Sequence, residues 1–194
     1  MLGGFALARE DFDLAAECYS QQAELTQLDG VPGEEAQAHY CLGNVRLYQG
    51  DYPAAEQAYA RALDLSLVQN QQQLTGLVLT QLGIVLRRQD RPEEAAESFR
   101  VARETARNAR LTPMIAFTLD AEAKSHLDYG NIREAERCWK EALAIYDSMT
   151  GDAVPDIRDA GRNDILHKLG ELHQNMLSPG WSPTCCPPVS KRGA

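Results

Sequence analysis

His167 and Glu171 stand one helical turn apart, a spacing that would present an imidazole and a carboxylate to one metal ion. Zinc sites draw on three or four such ligands, and the remaining histidines, His39, His126 and His173, are scattered along the chain. No metal site is therefore expected. The cysteines, Cys18, Cys41, Cys138, Cys185 and Cys186, form no CxxC pair and show no ligand spacing. The first three read as small core fillers. The last two fall in the tail WSPTCCPPVSKRGA, whose prolines prevent regular structure, and adventitious oxidation is the chemistry expected of them. Glu93 and Glu94 stand at a helix start, where the helix dipole accounts for paired acids. No phosphate-binding GxxxxGK[ST], zinc-protease HExxH or nucleophile-elbow GxSxG occurs. The sequence thus predicts no enzyme, no catalytic residue and no cofactor.

Charge narrows the partners. The chain carries 28 acids against 19 bases, a formal net charge of −9, which repels phosphate backbones unless a local basic patch overrides it. Arg100, Arg103, Arg107 and Arg110 recur at helical spacing and form the best such patch. No aromatic residue is interleaved for base stacking, so the row reads as a solvated edge and nucleic acid is not expected as a direct partner. There is no apolar run long enough for a membrane span. The start, MLGGFALARED, lacks a basic lead-in and reaches acid by Glu10, which argues against a secretory signal. The expected location is cytoplasmic.

The elements that carry these residues emerge when the chain is laid against itself with a shift of 40 residues. Gly3, Gly43, Gly83 and Ala123 then share a column, and so do Phe12, Tyr52, Pro92 and Ile132. Ala15, Ala55, Ala95 and Ala135 form a third, and Tyr19, Tyr59, Phe99 and Trp139 a fourth. Within a copy the spacing is helical: Tyr52, Ala55, Tyr59, Ala62 and Leu63 fall three and four apart, on one stripe. Gly50-Asp51 supplies a helix stop followed by a helix start, with counterparts at Glu10-Asp11, Asp90-Arg91 and Gly130-Asn131. Each copy is predicted to be an antiparallel helix pair. A small residue in the Gly43 column lets two helices cross closely, and a large ring in the Tyr59 column fills the hole beside the crossing.

The pattern Leu42-Gly43, Gly50, Tyr52, Ala55, Tyr59 and Ala62 resembles the tetratricopeptide repeat (TPR). Leu82-Gly83, Ala95, Phe99 and Ala102 repeat it in the third copy, and Gly130, Ala135, Trp139 and Ala142 in the fourth. The long period is similar to that of TPR arrays in bacterial regulators and in spindle-orientation adaptors of the LGN/Pins type. The fourth copy departs from the motif, with Glu122-Ala123 in place of Leu-Gly, and the first has Gln22 where its siblings have Ala. The resemblance implies an all-α fold, an α-solenoid with a right-handed superhelix of about four TPR-like hairpins near 1–30, 34–70, 71–110 and 112–149. A capping helix is expected over 156–177, with an apolar seam of Ile165, Leu169, Leu172 and Met176, followed by a disordered Pro-rich tail over 178–194. Because Met1 lies one residue before Leu2-Gly3, the chain is expected to be a piece of a longer array.

In such arrays the first helix of each pair lines a concave groove, so the residues beside the Gly column are the binding candidates. These are Tyr40, Asn44 and Tyr48 in the second pair, Thr80, Ile84, Arg87 and Arg88 in the third, and Asp120, Lys124 and Asp128 in the fourth. The tyrosines offer rigid amphipathic surface, Asn44 can serve both an N–H and a C=O of a peptide, and the two arginines suit an acidic group on the ligand. In the LGN-like arrays the Asn of Leu-Gly-Asn contacts peptide; here it is kept at Asn44, with Gly4, Ile84 and Lys124 at the equivalent places. The chaperone-binding members use a Lys one turn before that Asn, where Tyr40 stands here, so chaperone tails are not the expected ligand. The function predicted is a non-catalytic protein- or peptide-binding scaffold. Two alternatives are a sensory segment of a larger bacterial transcriptional regulator or signalling ATPase, and a self-assembly module forming a homo-oligomer.

Overall fold

The computed structural model describes residues 11–149 and 155–177, and among them every regular element is an α-helix. The expectations placed on Leu2, Gly3 and Gly4, and on the Pro-rich tail with Cys185 and Cys186, lie outside the described residues. The helices are α1 (Phe12–Leu28), α2 (Pro32–Gln49), α3 (Tyr52–Val68), α4 (Gln72–Arg88), α5 (Pro92–Asn108), α6 (Thr112–Asp128), α7 (Ile132–Ser148) and α8 (Pro155–Leu177). Helix α1 is the second helix of the first pair, and α2–α3, α4–α5 and α6–α7 are the three pairs that follow.

The turns keep time. Gly30, Gly50, Asn70, Asp90, Arg110 and Gly130 all have positive φ, at intervals of 20 residues, so both helices of a pair are closed by the same device. At Gly50 (φ 77°) the N–H groups of Gly50 and Asp51 bond the carbonyls of Leu47 and Arg46 at 3.1 and 2.9 Å, which satisfies the end of α2. Asp51 then opens α3, its carboxylate accepting the N–H of Ala54 at 3.2 Å. Pro92 sits in the first turn of α5, where its missing N–H costs nothing.

Packing between paired helices follows the columns. A Cβ placed on Gly43 would lie 2.5 Å from Tyr59 Cε1, and one on Gly83 would lie 2.7 Å from Phe99 Cε1. No carbon fits at those distances, so the ring and the missing side chain occupy one space. Tyr59 and Phe99 are accordingly buried, together with Ala55, Ala62, Ala95 and Ala102 on the same stripes.

The chain divides into two compact units, Met1–Arg110 and Leu111–Ala194. In the first, successive helices from α1 to α5 pack on one another, and α2 also touches α4, so the first helices of consecutive pairs are neighbours. In the second, α6 packs on α7 and α7 on α8, while α8 also touches α6. That is the place the first helix of a further pair would take. Ile165, Leu169 and Leu172 of α8 join Trp139, Ala142 and Tyr146 in one core, as the capping helix requires.

The seam of α8 differs from expectation at two points. Met176 is exposed, and Gly170 has open space where a Cβ would project. The close approach is made instead at Gly161, where a Cβ would fall 2.3 Å from Tyr146 Cζ. The cause is in α7: Tyr146 occupies the position that Ala106 and Ser66 hold in the preceding pairs. A ring at that end moves the tightest crossing toward the start of the capping helix.

Candidate functional site

The column of Tyr40, Thr80 and Asp120 begins the candidate surface, and its members turn inward. Tyr40 is half-buried, its ring tilted 47° against Tyr59 at a centroid distance of 6.1 Å. Thr80 is fully buried, its hydroxyl donating to the carbonyl of Gly76 at 2.9 Å, so it lines no groove. Helix α4 has α3 on one side and α5 on the other, which closes this register from solvent. The bond back to the preceding turn satisfies the hydroxyl without an outside partner.

Asp120 is tied still more firmly. Its carboxylate accepts from Trp139 Nε1 at 2.9 Å, from Lys124 Nζ at 2.7 Å and from Lys168 Nζ at 2.9 Å. Lys168 also bonds Asp164 on its own helix. Burial alone would raise the Asp120 pKa, but the Lys124, Lys168 and Trp139 contacts outweigh it and hold the carboxyl below its ordinary value. The same pair of carboxylates keeps Lys168 above the usual lysine range against its own desolvation. The polar stripe of α6 is thus a structural tie between the fourth pair and its cap.

Asn44 is committed on one side. Its Oδ1 accepts the Tyr59 hydroxyl at 2.7 Å, and burial pushes the Tyr59 phenol far up, so that hydroxyl remains a donor. Of the two peptide contacts expected of Asn44, the one from its carbonyl is already taken. Tyr48 is 71% exposed and stacks on Phe12, rings 6.0 Å apart and 16° from parallel. Arg87 and Arg88 lie half-buried in the last turn of α4, and Ile84 is half-buried beside them. The structure therefore leaves Tyr48 and Lys124 exposed, keeps Tyr40, Asn44, Arg87, Arg88 and Asp120 half-buried, and withdraws Thr80.

A hollow that the sequence did not single out lies one turn earlier. About 490 Å³ in volume, it is lined by Gly33 and Gln37 of α2 and by Gln71, Gln72, Gln73, Leu74 and Leu77 at the start of α4. Gln37 and Leu77 precede Tyr40 and Thr80 by three residues, so they share the candidate face of the first helices. Amide side chains donate and accept, which matches peptide backbone. Among the described residues, Gln71 Oε1 is buried without a hydrogen-bond donor. The signal was the run Gln71–Gln73, repeated by neither sibling pair.

Elsewhere the charges are locally paired. Arg100 bridges Glu97 at 2.6 Å and Glu104 at 3.0 Å, so the basic row of α5 is met by acids on its own helix. Glu35, buried in α2, is held by Arg61 Nη2 of α3 at 2.8 Å. Arg91 joins Glu56 of α3 at 2.8 Å to Glu94 of α5 at 2.6 Å. His167 and Glu171 lie 3.7 Å apart on exposed surface of α8. Cys138 is buried, whereas Cys18 and Cys41 are only partly so.

Hairpins of constant length, closed by left-handed turns and locked by a glycine against a ring, define a helical-repeat protein of the interaction class. The tetratricopeptide repeat model matches residues 34–108, which are the second and third pairs. Over 147 residues, 76% of this chain, the sequence is 31% identical to "Regulatory protein AfsR" of Streptomyces griseus, of which the match spans 15%. The chain carries tetratricopeptide repeats, modules that generally mediate protein–protein interaction and not catalysis. Among the described residues no helix is long and apolar enough to cross a membrane.

Proposed function

We propose that the chain is a non-catalytic scaffold that holds a peptide or disordered segment against the exposed side of α2 and α4. What carries this reading is the amide-lined hollow between Gln37 and Gln71–Gln73, with the buried Gln71 oxygen lacking a donor. Leaving such an acceptor unsatisfied costs about 1–3 kcal/mol, and a backbone N–H from an extended ligand would recover it. Farther along the same helices, Tyr48 supplies an exposed ring, the Asn44 amide a donor, and Arg87 with Arg88 positive charge for an acidic side chain or C-terminus. Lys124 is the exposed member of the fourth stripe and adds a second cationic point.

A peptide-display selection on the immobilised chain, followed by affinity measurement, tests this. Selected peptides should lose at least about tenfold in affinity with Gln37→Ala/Gln73→Ala, a change near 1.4 kcal/mol, and keep it with Arg137→Ala. Equal affinity in all three proteins would remove the hollow from the proposal.

The likeness to a regulatory protein favours a second reading, in which the repeats are one segment of a larger bacterial regulator and their ligand sets the state of a module elsewhere in it. The complete reading frame decides: a frame encoding these repeats and nothing more ends that reading.

A further inference from the structure

The fourth pair carries a cluster that its siblings lack. A carboxylate oxygen of Glu122, a ring nitrogen of His126 and the sulfur of Cys138 all lie within 4.8 Å of one another. Glu122 and His126 are one turn apart on α6, and Cys138 faces them from α7. Stepping back by 40 residues, the same three places hold Leu82, Leu86 and Ser98 in the third pair, and Leu42, Arg46 and Ala58 in the second. One turn of α6 and the facing turn of α7 have therefore gained oxygen, nitrogen and sulfur donors together. At the first of these places the repeat's own Leu is lost.

We propose that Glu122, His126 and Cys138 bind a divalent transition-metal ion of the zinc class between α6 and α7. Thiolate, imidazole and carboxylate are zinc's three protein ligands, and water takes the fourth position. Bond lengths of about 2.0–2.3 Å place tetrahedral donors roughly 3.3–3.8 Å apart, so the present spacing needs side-chain shifts of about 1 Å and no backbone movement. Binding displaces the thiol proton to solvent, and the thiolate and carboxylate charges then balance the ion. A carboxylate and an imidazole beside a buried thiol are a poor exchange for leucine as packing; as ligands they join the two helices of the last pair directly beneath the capping helix.

The experiment uses the full chain with Cys185→Ser/Cys186→Ser, so that tail thiols contribute nothing, titrated with Co²⁺ under reducing conditions. One equivalent should produce a thiolate-to-cobalt charge-transfer band that Zn²⁺ abolishes by competition, and Zn²⁺ should raise Tm. Cys138→Ser and His126→Leu install the third pair's own residues, so they are expected to fold, which circular dichroism verifies. The band should vanish in Cys138→Ser, and cobalt affinity should fall by more than the roughly 10–100-fold that loss of an outer-shell partner costs, in both His126→Leu and Glu122→Gln. A folded chain with no band at saturating cobalt, or a band that survives Cys138→Ser, overturns the proposal.

Discussion

The second and fourth pairs solve one problem with different chemistry. In each a ring from the second helix plugs the crossing, and its polar atom must be satisfied by the first helix: Tyr59 by Asn44, Trp139 by Asp120. The partner comes from different places, one residue after the Gly43 column in the former and three before the Ala123 column in the latter. In the third pair the plug is Phe99, which has no polar atom, and Ile84 stands at the Asn44 position. The identity of the plug therefore decides which first-helix residue is drawn inward, and the remaining polar residues of that helix are left for a ligand.

The largest effect is expected where the polar partner serves most donors. Asp120→Ala leaves Trp139 Nε1 and Lys168 without their acceptor, and the cost should be about 2–4 kcal/mol in denaturant unfolding, below a fully buried pair because solvent reaches Lys124. The pH dependence has a defined sign. A carboxyl whose folded pKa lies below its model value of 3.8 contributes stability that is complete above that value and is lost as pH falls through the folded one. Asp120→Asn should flatten the acid limb of the stability curve; an unchanged limb would show that the tie to Trp139 and Lys168 carries no such weight.

Next comes the crossing itself. Gly43→Ala sets a methyl 2.5 Å from the Tyr59 ring and should cost about 1–3 kcal/mol by overpacking, although alanine is the better helix former. Ala123→Gly, the reverse exchange in the fourth pair, should cost only about 1 kcal/mol through helix propensity. Equal and small costs at both sites would mean that the repeat tolerates either residue and that glycine is not there for the ring.

The repeat was legible in the sequence because its determinants are local and periodic. The Gly43 and Tyr59 columns and the stop-start dipeptides at Gly50-Asp51, Asp90-Arg91 and Gly130-Asn131 all fall where the structure places crossings and turns. The candidate face was only partly legible. Thr80 and Asp120 sit on the predicted stripe, yet which side of a narrow first helix is covered depends on the ring and the helices beside it, information held elsewhere in the chain. The gathering of Glu122, His126 and Cys138 escaped for a related reason: the ligands are split between two helices, and they become visible as a group when all three are read against the columns of their sibling pairs.

The smallest effect bears most directly on what plug identity decides. Tyr59→Phe removes the donor to Asn44 and leaves that amide oxygen half-buried without it, at a cost of about 1 kcal/mol. Asn44→Ile strips the acceptor from a fully buried phenol and should cost more, about 1–3 kcal/mol. The double variant converts this site to the Phe99 and Ile84 combination of the third pair, where neither group needs a partner. Its destabilisation should therefore be smaller than the sum of the singles by about 1–2 kcal/mol, a coupling that a double-mutant cycle in urea resolves. Additive costs would mean that the two residues act independently, and that the first helix does not answer to the ring it packs against.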